Sequence, residues 1–407
     1  MKLYSLPQEI PPTAGLPVRW RELSALSGNL AARLADRLSI PEPALTCSGT
    51  AALIMILRVL RQRHPHRCVL IVPAFTCPLV ALAAGFCPPL TVVPCDLAPN
   101  GIDLDSQHLA QLCDHRTLAV VVTHLAGRVV DVDSAKAVAA ACGAAVIEDA
   151  AQAMGARDDG QSVGLKGDAA FFSMAFGKGL TSAEGGVLFS RDPELHRALH
   201  QQCRQDLPFR LGWEIRRIAE LAGYALFYHP RGLYYVYGRP LRRALARGDR
   251  IQAVGDDFSR RDIPLHRLGG YRRRVAAGAL KRLPAFLESG RERALRRIAA
   301  LRELPGVGVL TDTAGREGVW PFILLLMPNP SARDAAMDSL WTAGLGVTRL
   351  FIHTLYGYPA VAPLLGLTPP CPHADDFAAR SLSISNSPWL TDKLFNDIVE
   401  QLRTVLA

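Results

Sequence analysis

Short apolar segments alternate with helical segments from residue 68 onward, and this alternation restricts the fold more than any other feature. Apolar runs at residues 69–75, 90–96 and 118–127 have the length of buried strands, and residues 76–85 and 133–142 have helical character. Strands that alternate with helices typically form a parallel sheet covered by helices on both faces. We therefore predict an α/β fold whose large domain contains a mostly parallel sheet flanked by helices.

Three further apolar runs lie between residues 144 and 190, and polar residues stand at the ends of the first two. Asp149 follows one run, Ser173 ends the next, and Lys178 stands between two glycines shortly afterwards. Open α/β sheets place their ligands at the carboxyl ends of their strands, so these three residues are site candidates. His124 also follows a predicted strand, and the sequence leaves open whether it is catalytic or structural.

A small turn, Ser48-Gly49-Thr50, precedes a strongly apolar helix. The first N–H groups of a helix have no partner within the helix, and the helix dipole favours negative charge there. Gly49 and Thr50 could therefore bind a phosphate group. The same turn could also be a simple N-cap without a ligand, and the turn alone does not decide between the two.

The composition is that of a globular protein without a membrane span. Of the 407 residues, 49% are hydrophobic and 20% charged, and no apolar run approaches the roughly 18 residues that a span needs. The amino-terminal sequence lacks a basic segment followed by an apolar one, so we expect no secretory signal and a cytoplasmic location. The nine cysteines contain no C-x-x-C pair, which favours reduced thiols and predicts no metal site.

Residues 204–250 carry most of the excess positive charge of the chain, which is +9 overall. This segment contains ten arginines and four acidic residues, together with eight aromatic residues. Basic and aromatic residues in this mixture suit a lid or dimer arm, which we favour, or peripheral contact with an anionic membrane. Single-stranded nucleic acid is the least favoured interpretation.

The last hundred residues predict a smaller α+β domain. Two apolar runs predict strands at 320–327 and 344–351. Helical segments are predicted at 280–298, which leads into this domain, at 331–343, and at 390–406, the last capped by Thr391. We predict three parts: an amino-terminal arm and entry helix at residues 1–45, with the helix at 23–38; a large domain at 46–300 with an insertion at about 205–262; and the small domain at 301–407.

The candidate residues together suit pyridoxal 5'-phosphate (PLP). This cofactor needs a lysine for its aldehyde, a carboxylate for its ring nitrogen, and N–H groups and hydroxyls for its phosphate. Lys178, Asp149, Ser173 and the Gly49-Thr50 turn could supply them. Each also has a plain structural interpretation, as a surface lysine, a structural acid or an N-cap, and their common order favours the cofactor.

The sequence also resembles the DegT/StrS family of PLP-dependent sugar aminotransferases, which have the fold type I architecture. The resemblance runs from about residue 46 to the carboxyl terminus and is interrupted at about 205–262. Its motifs are SGTAAL (48–53), VPAFTCPLVALA (72–83), THLAG (123–127), EDAAQAMGA (148–156), FFSMAFGKGLTSAEGG (171–186), YRRRVAAGALKRL (271–283) and PHADDFAARSLSISNSPWLT (372–391).

The resemblance implies a role for each matched residue. Lys178 would be the Schiff-base lysine and Asp149 the partner of the pyridinium nitrogen, with Gln152 near the ring. Thr50, Ala51 and Ser173 would hold the phosphate. Lysine at position 178, where a dehydratase branch has histidine, implies transamination. The expected reaction transfers an amino group from glutamate to a keto group of a nucleotide- or lipid-linked sugar, in a homodimer.

Three residues depart from the family pattern. Cys77 stands where an aromatic residue usually stacks on the cofactor ring, Gly270 where an asparagine usually reaches the partner's phosphate, and Ala183 where a glycine precedes EGG. The departures and the insertion leave the acceptor open. The basic and aromatic insertion also motivates an alternative function, that of a PLP-binding regulatory or membrane-associated protein of the same fold without transaminase activity.

Overall fold

The computed structural model describes residues 8–24, 27–256, 258 and 263–407. It contains fourteen strands in this part of the chain: β1 Ala44–Thr46, β2 Val69–Pro73, β3 Thr91–Cys95, β4 Thr117–Thr123, β5 Ala145–Asp149, β6 Arg157–Asp158, β7 Gln161–Ser162, β8 Ala169–Ser173, β9 Gly186–Phe189, β10 Gly308–Val309, β11 Arg316–Glu317, β12 Phe322–Leu326, β13 Val347–Thr348 and β14 Ser381–Ser385.

Sixteen α-helices accompany these strands in the described residues: α1 Trp20–Leu23, α2 Leu30–Leu38, α3 Gly49–Arg63, α4 Pro78–Ala84, α5 Ser106–Leu112, α6 Val132–Cys142, α7 Pro193–Asp206, α8 Leu211–Phe227, α9 Pro230–Leu233, α10 Arg239–Ala246, α11 Arg250–Val254, α12 Gly270–Ala279, α13 Leu283–Leu301, α14 Pro330–Leu340, α15 Pro372–Arg380 and α16 Asp392–Leu406. A π-helical turn, Tyr234–Gly238, joins α9 to α10, and short 3-10 turns lie at Leu125–Gly127, Leu280–Arg282, Leu355–Gly357 and Ala362–Leu364.

The largest sheet has seven strands in the order β1-β9-β8-β5-β4-β2-β3. Strands β8, β5, β4, β2 and β3 run parallel, and β9 and β1 add antiparallel pairings at one edge. The predicted α/β fold with a mostly parallel sheet is therefore confirmed. The carboxyl ends of β4, β5 and β8 lie side by side, since Thr123 pairs with Asp149 and Asp149 with Phe171.

Both faces of this sheet are covered, which explains why its central strands are apolar throughout. Successive residues of β2 enter different cores because side chains alternate across a strand. Leu70 packs with residues of α3, α4 and α7, whereas Ile71 packs with residues of α5, α6 and α15.

The carboxyl-terminal part forms an antiparallel sheet in the order β10-β12-β14-β13, against which α14 and α16 pack. Thr391 caps α16 as predicted, since its hydroxyl accepts the Leu394 N–H at 3.3 Å. The strand predicted at 344–351 is wrong in extent, since β13 has two residues. It begins late because Gly344 and Gly346 adopt positive φ angles of 77° and 71°. The domain boundaries predicted at 45/46 and 300/301 stay predictions.

The predicted entry helix at 23–38 is also wrong in extent. The helix α2 begins only at Leu30, after Gly28 with φ 150°, and Asn29 caps it by accepting the Ala32 N–H at 3.3 Å. A separate single turn, α1, precedes it, and Leu26, on which the helical spacing partly depended, lies outside the described residues.

The described part of the insertion at 205–262 is largely helical and packs against the rest of the fold. Glu214 of α8 is buried against Arg272, and Leu221 packs with Val18, Ala183 and Val275. Tyr228 accepts the Gly15 N–H at 2.9 Å. No helix in the described part of the chain combines the length and apolarity that crossing a bilayer requires.

Candidate active site

A cavity of about 470 Å³ opens at the carboxyl ends of β4, β5 and β8. This is the edge at which open α/β sheets bind ligands. Its lining contains six of the seven predicted site residues: Gly49, Thr50, Asp149, Gln152, Ser173 and Lys178. The structure therefore brings together residues that are far apart in the sequence, and Ala51 is the one that does not reach the lining.

Asp149 is the last residue of β5, and its side chain is buried at the floor of the cavity. One carboxylate oxygen, Oδ1, accepts the Ala151 N–H at 3.0 Å. Burial raises the pKa of this carboxyl group, and the hydrogen bond from the Ala151 N–H and the charge of Lys178 oppose that rise only in part. No cation of the described residues forms an ion pair with Asp149, so its carboxylate would be stabilised by a protonated nitrogen in the cavity.

Lys178 lies on the tight loop that follows β8. Gly177 has φ 75°, and a Cβ at this position would lie 2.4 Å from the Thr13 hydroxyl oxygen, which explains the glycine. Burial lowers the pKa of the Lys178 amine, although the charge of Asp149 acts in the opposite direction. A buried lysine with a lowered pKa contains more of the neutral, nucleophilic amine near neutral pH.

The amino terminus of α3 forms the opposite end of the cavity. Gly49 lies close to Ser173, since a Cβ on Gly49 would be 3.1 Å from the Ser173 Cβ. Thr50 lies beside them in the lining, so two hydroxyls and the first N–H groups of a fifteen-residue helix meet here. The Ala51 N–H is already bound by the Ser48 hydroxyl at 3.0 Å, and the phosphate contact predicted for Ala51 stays a prediction.

Gln152 is fixed by the loop that follows β4. Its Oε1 accepts the Ala126 N–H at 2.8 Å, and Ala126 and Gly127 both have positive φ angles. A Cβ on Gly127 would lie 2.3 Å from the Val319 carbonyl oxygen. This loop can therefore approach both Gln152 and the segment before β12 only with a glycine at position 127.

His124 lies outside the cavity lining, and its contacts favour the structural interpretation. Its Nε2 is 2.9 Å from Oε2 of Glu148, and its Nδ1 accepts the Val130 N–H at 3.3 Å. Glu148 also accepts N–H groups of the loop at residues 164–167, from Gly164, Lys166 and Gly167. Burial alone would raise the pKa of Glu148, but these hydrogen bonds outweigh it and leave the pKa below its ordinary value.

Glu184 and Arg217 are site residues that the sequence analysis missed. Glu184 lines the cavity, and Arg217 of α8 places its Nε 2.8 Å from the Glu184 carboxylate. Burial raises the pKa of Glu184, and Arg217 and Arg272 lower it again in part. Glu184 lies within a matched motif, which could have identified it, whereas Arg217 lies in the insertion and has no such signal.

Cys77 lines the same cavity, and burial raises the pKa of its thiol to about 12. It is therefore a neutral wall residue and not a thiolate. Three phenylalanine rings also belong to the lining: Phe171, Phe258 and Phe351. Aromatic side chains of other elements therefore lie in the cavity that Cys77 borders. The described residues include no cluster of three or more side chains suited to a metal ion.

Comparison with known proteins identifies the relatives of this chain. A model of the DegT/DnrJ/EryC1/StrS aminotransferase family matches residues 24–208 and 273–403, and the gap between them contains most of the predicted insertion. L-glutamine:2-deoxy-scyllo-inosose aminotransferase of Streptomyces fradiae is 38% identical over 135 residues, which are 32% of this chain and 32% of that enzyme. The chain spans about a third of the length of the first curated relatives it matches.

Two solved structures are similar over nearly the whole chain. DesI in the presence of its TDP-sugar product has a TM-score of 0.74 and 21% identity, covering 98% of this chain and 93% of its own. The sugar aminotransferase CalS13 of Micromonospora echinospora has a TM-score of 0.72 and 22% identity, covering 97% of this chain and 99% of its own. At these identities the likeness shows a shared fold.

Proposed function

Because the chain belongs to the DegT/DnrJ/EryC1/StrS aminotransferase family, we propose that it is a PLP-dependent aminotransferase. It transfers an amino group, with glutamate as the expected donor, to a keto group of a nucleotide- or lipid-linked sugar. The observation that carries this proposal is the single cavity lined by Asp149, Lys178, Ser173 and the amino terminus of α3.

The residues of the cavity fit the cofactor. Asp149 is a buried carboxylate with a raised pKa, and it would hold the proton on the ring nitrogen. The hydroxyls of Thr50 and Ser173, with the first N–H groups of α3, would hold the phosphate. Lys178 would hold the aldehyde covalently. When bound, PLP supplies an electron sink for the carbon from which a proton is removed.

The chain itself contributes proton transfer and exclusion of water. Lys178 has an amine of lowered pKa, so its neutral form is more populated and can accept a proton and return it. Leu53, Leu125 and Phe351 line the cavity around it and limit hydration of the reacting groups. Gln152 is held by the Ala126 N–H, which orients its amide along one wall.

The family relatives bear on the two substrates. The S. fradiae relative is named for L-glutamine as donor and a cyclitol ketone as acceptor, and DesI was solved with a TDP-sugar product. For this chain we keep glutamate as the proposed donor and a linked keto-sugar as the acceptor. A donor panel that contains both amino acids decides between glutamate and glutamine.

We also propose a cytoplasmic homodimer with peripheral membrane contact through residues 204–250. The family resemblance supports the dimer, and the charge of the segment supports the contact. Light scattering on the purified protein tests the dimer: twice the chain mass of 44.1 kDa supports it, and a monomeric mass contradicts it.

The cofactor site is tested with the purified protein and PLP. We expect a near-visible absorption band that borohydride fixes to the chain and that changes on addition of the amino donor. Lys178→Ala should abolish the borohydride-fixed adduct, whereas the exposed control Lys393→Ala should retain it. An adduct that persists in Lys178→Ala contradicts the assignment of this lysine.

The alternative is a PLP-binding regulatory protein without transaminase activity, which the basic segment motivates. The donor half-reaction separates the two functions. Conversion of glutamate or glutamine to its keto acid, with loss of the near-visible band, supports the aminotransferase. PLP binding without turnover of either amino acid supports the alternative.

A further inference from the structure

An apolar stripe runs along the outer face of α8. Leu211, Ile215, Ala219, Ala222 and Leu226 follow the spacing of one helical face. The three large side chains are 63%, 59% and 51% exposed for Leu211, Ile215 and Leu226, respectively. We call these five residues the α8 stripe. Scattered single apolar residues are ordinary on a surface, but a continuous row along a helix indicates a contact surface.

The opposite face of α8 packs against the rest of the protein, so the α8 stripe faces outward. Glu214 forms a buried ion pair with Arg272, and Leu221 packs against Ala183 of the loop that contains Lys178. Tyr224 stacks on Phe176 of the same loop with ring centroids 5.0 Å apart. The helix is therefore held against the lysine loop, and it cannot bury the stripe by rotating about its axis without breaking these contacts.

Aromatic residues extend the apolar surface at both ends of the helix. Phe209 precedes α8 and is 55% exposed, and Phe227 ends it and is 40% exposed. In the turn beyond α9, Tyr235 and Val236 are each 53% exposed. Exposed rings beside aliphatic residues are typical of helices that lie in the interfacial layer of a bilayer.

The charges around the stripe are almost all positive. Within residues 208–250, every one of which the structure describes, Asp249 is the one exposed acidic residue. Seven arginines are exposed in the same range: Arg210, Arg216, Arg231, Arg239, Arg243, Arg247 and Arg250. A symmetric contact between two copies through this segment would bring two basic surfaces together, whereas an anionic lipid surface complements them.

We propose that the α8 stripe is a docking site for an anionic lipid surface. Leu211, Ile215 and Leu226 enter the boundary between headgroups and acyl chains, and the surrounding arginines contact lipid phosphates. The docked helix would hold the cavity beside the membrane. Docking would restrict the proposed acceptor to a keto-sugar presented at a bilayer. This restriction of the acceptor rests on the proposed aminotransferase function.

Vesicle flotation of the full PLP-loaded protein tests the docking site. We expect binding to phosphatidylglycerol-containing vesicles to exceed binding to pure phosphatidylcholine vesicles by at least about tenfold, and to weaken with salt. Ile215→Glu with Leu226→Glu should reduce it by about tenfold or more. The control is Leu367→Glu, an exposed apolar residue of another surface at 67% exposure, which should bind as the unmodified chain does.

Two results would overturn the proposal. Equal binding of the unmodified chain to anionic and neutral vesicles is one. The other is that the double variant keeps its vesicle binding but changes from dimer to monomer in light scattering. In that case the α8 stripe contacts a second copy of the chain and not lipid. Donor turnover is measured on the same samples, so failure of the aminotransferase function is recorded separately from failure of lipid binding.

Discussion

Arg272 of α12 places its Nε 3.0 Å from Oε2 of Glu214 in α8, and both side chains are buried. The same guanidinium donates from Nη1 to the Ser182 carbonyl oxygen at 3.1 Å. One arginine thus connects the inserted helix with the loop that contains Lys178. The insertion is therefore part of the site's support and not an appendage.

Glu214→Gln should destabilise the fold strongly, because it leaves the buried Arg272 guanidinium without its counter-charge. Loss of one partner of a buried pair costs about 3–5 kcal/mol, which urea unfolding would measure. The control is Glu400→Gln, which removes an exposed partner of Arg403 and should leave the unfolding midpoint unchanged. Equal midpoints for Glu214→Gln and the unmodified chain would contradict the role of this pair.

Asp149→Asn should stabilise the cofactor-free protein at neutral pH while it abolishes amino transfer. The folded-state pKa of Asp149 is raised by burial, so its ionised form disfavours folding above the ordinary carboxyl pKa. The gain in Tm should therefore be present at pH 7 and disappear below about pH 4, where both states bind the proton. Asp36→Asn, on the exposed side of α2, should show no such pH dependence.

Gly127→Ala should lower the free energy of unfolding and disturb the hydrogen bond from the Ala126 N–H to Gln152. Gly127 and Gly160 have similar φ angles of 72° and 76°, but only Gly127 lacks room for a Cβ, which would lie 2.3 Å from the Val319 oxygen. We expect Gly160→Ala to cost about 1 kcal/mol from backbone strain, and Gly127→Ala to cost clearly more. Similar urea midpoints for the two variants would show that the close contact is relieved without cost.

Arg217→Gln should change the pH dependence of amino transfer. Without Arg217, the pKa of Glu184 in the cavity rises further, so Glu184 is protonated to higher pH. The pH profile of amino transfer should move upward, with KM for the substrate that contacts Glu184 raised about tenfold. Arg216→Gln, which alters an exposed neighbour, should leave both unchanged. An unchanged pH profile in Arg217→Gln would contradict the coupling of these two side chains.

The strand ends of the candidate site were predictable because a parallel sheet gathers its carboxyl ends at one edge. Once β5 and β8 are recognised as strands in the sequence, Asp149, Ser173 and Lys178 follow as site candidates. The sequence offered both a phosphate site and an N-cap for the Ser48-Gly49-Thr50 turn, and it did not show that the Ser48 hydroxyl takes up the Ala51 N–H in particular. The role of a backbone N–H that has two possible hydrogen-bond partners can be assigned only from the structure.

Other features depend on contacts that are distant in the sequence. Arg272 and Glu214 are 58 residues apart, and no periodicity links them. The central strand β14, SLSIS, alternates serine with apolar residues, and its burial comes from β12 and β13 on either side. Tertiary packing, not propensity, makes this segment a strand.

Glu148 stands directly before Asp149 and points to the other side of the strand, where it holds the N–H groups of Gly164, Lys166 and Gly167. These three amides depend on one carboxylate and not on a ladder of separate partners. In hydrogen exchange they should therefore lose protection together, as a single opening unit. Their common exchange rate would report how often the loop at residues 164–167, which packs behind Asp149, opens.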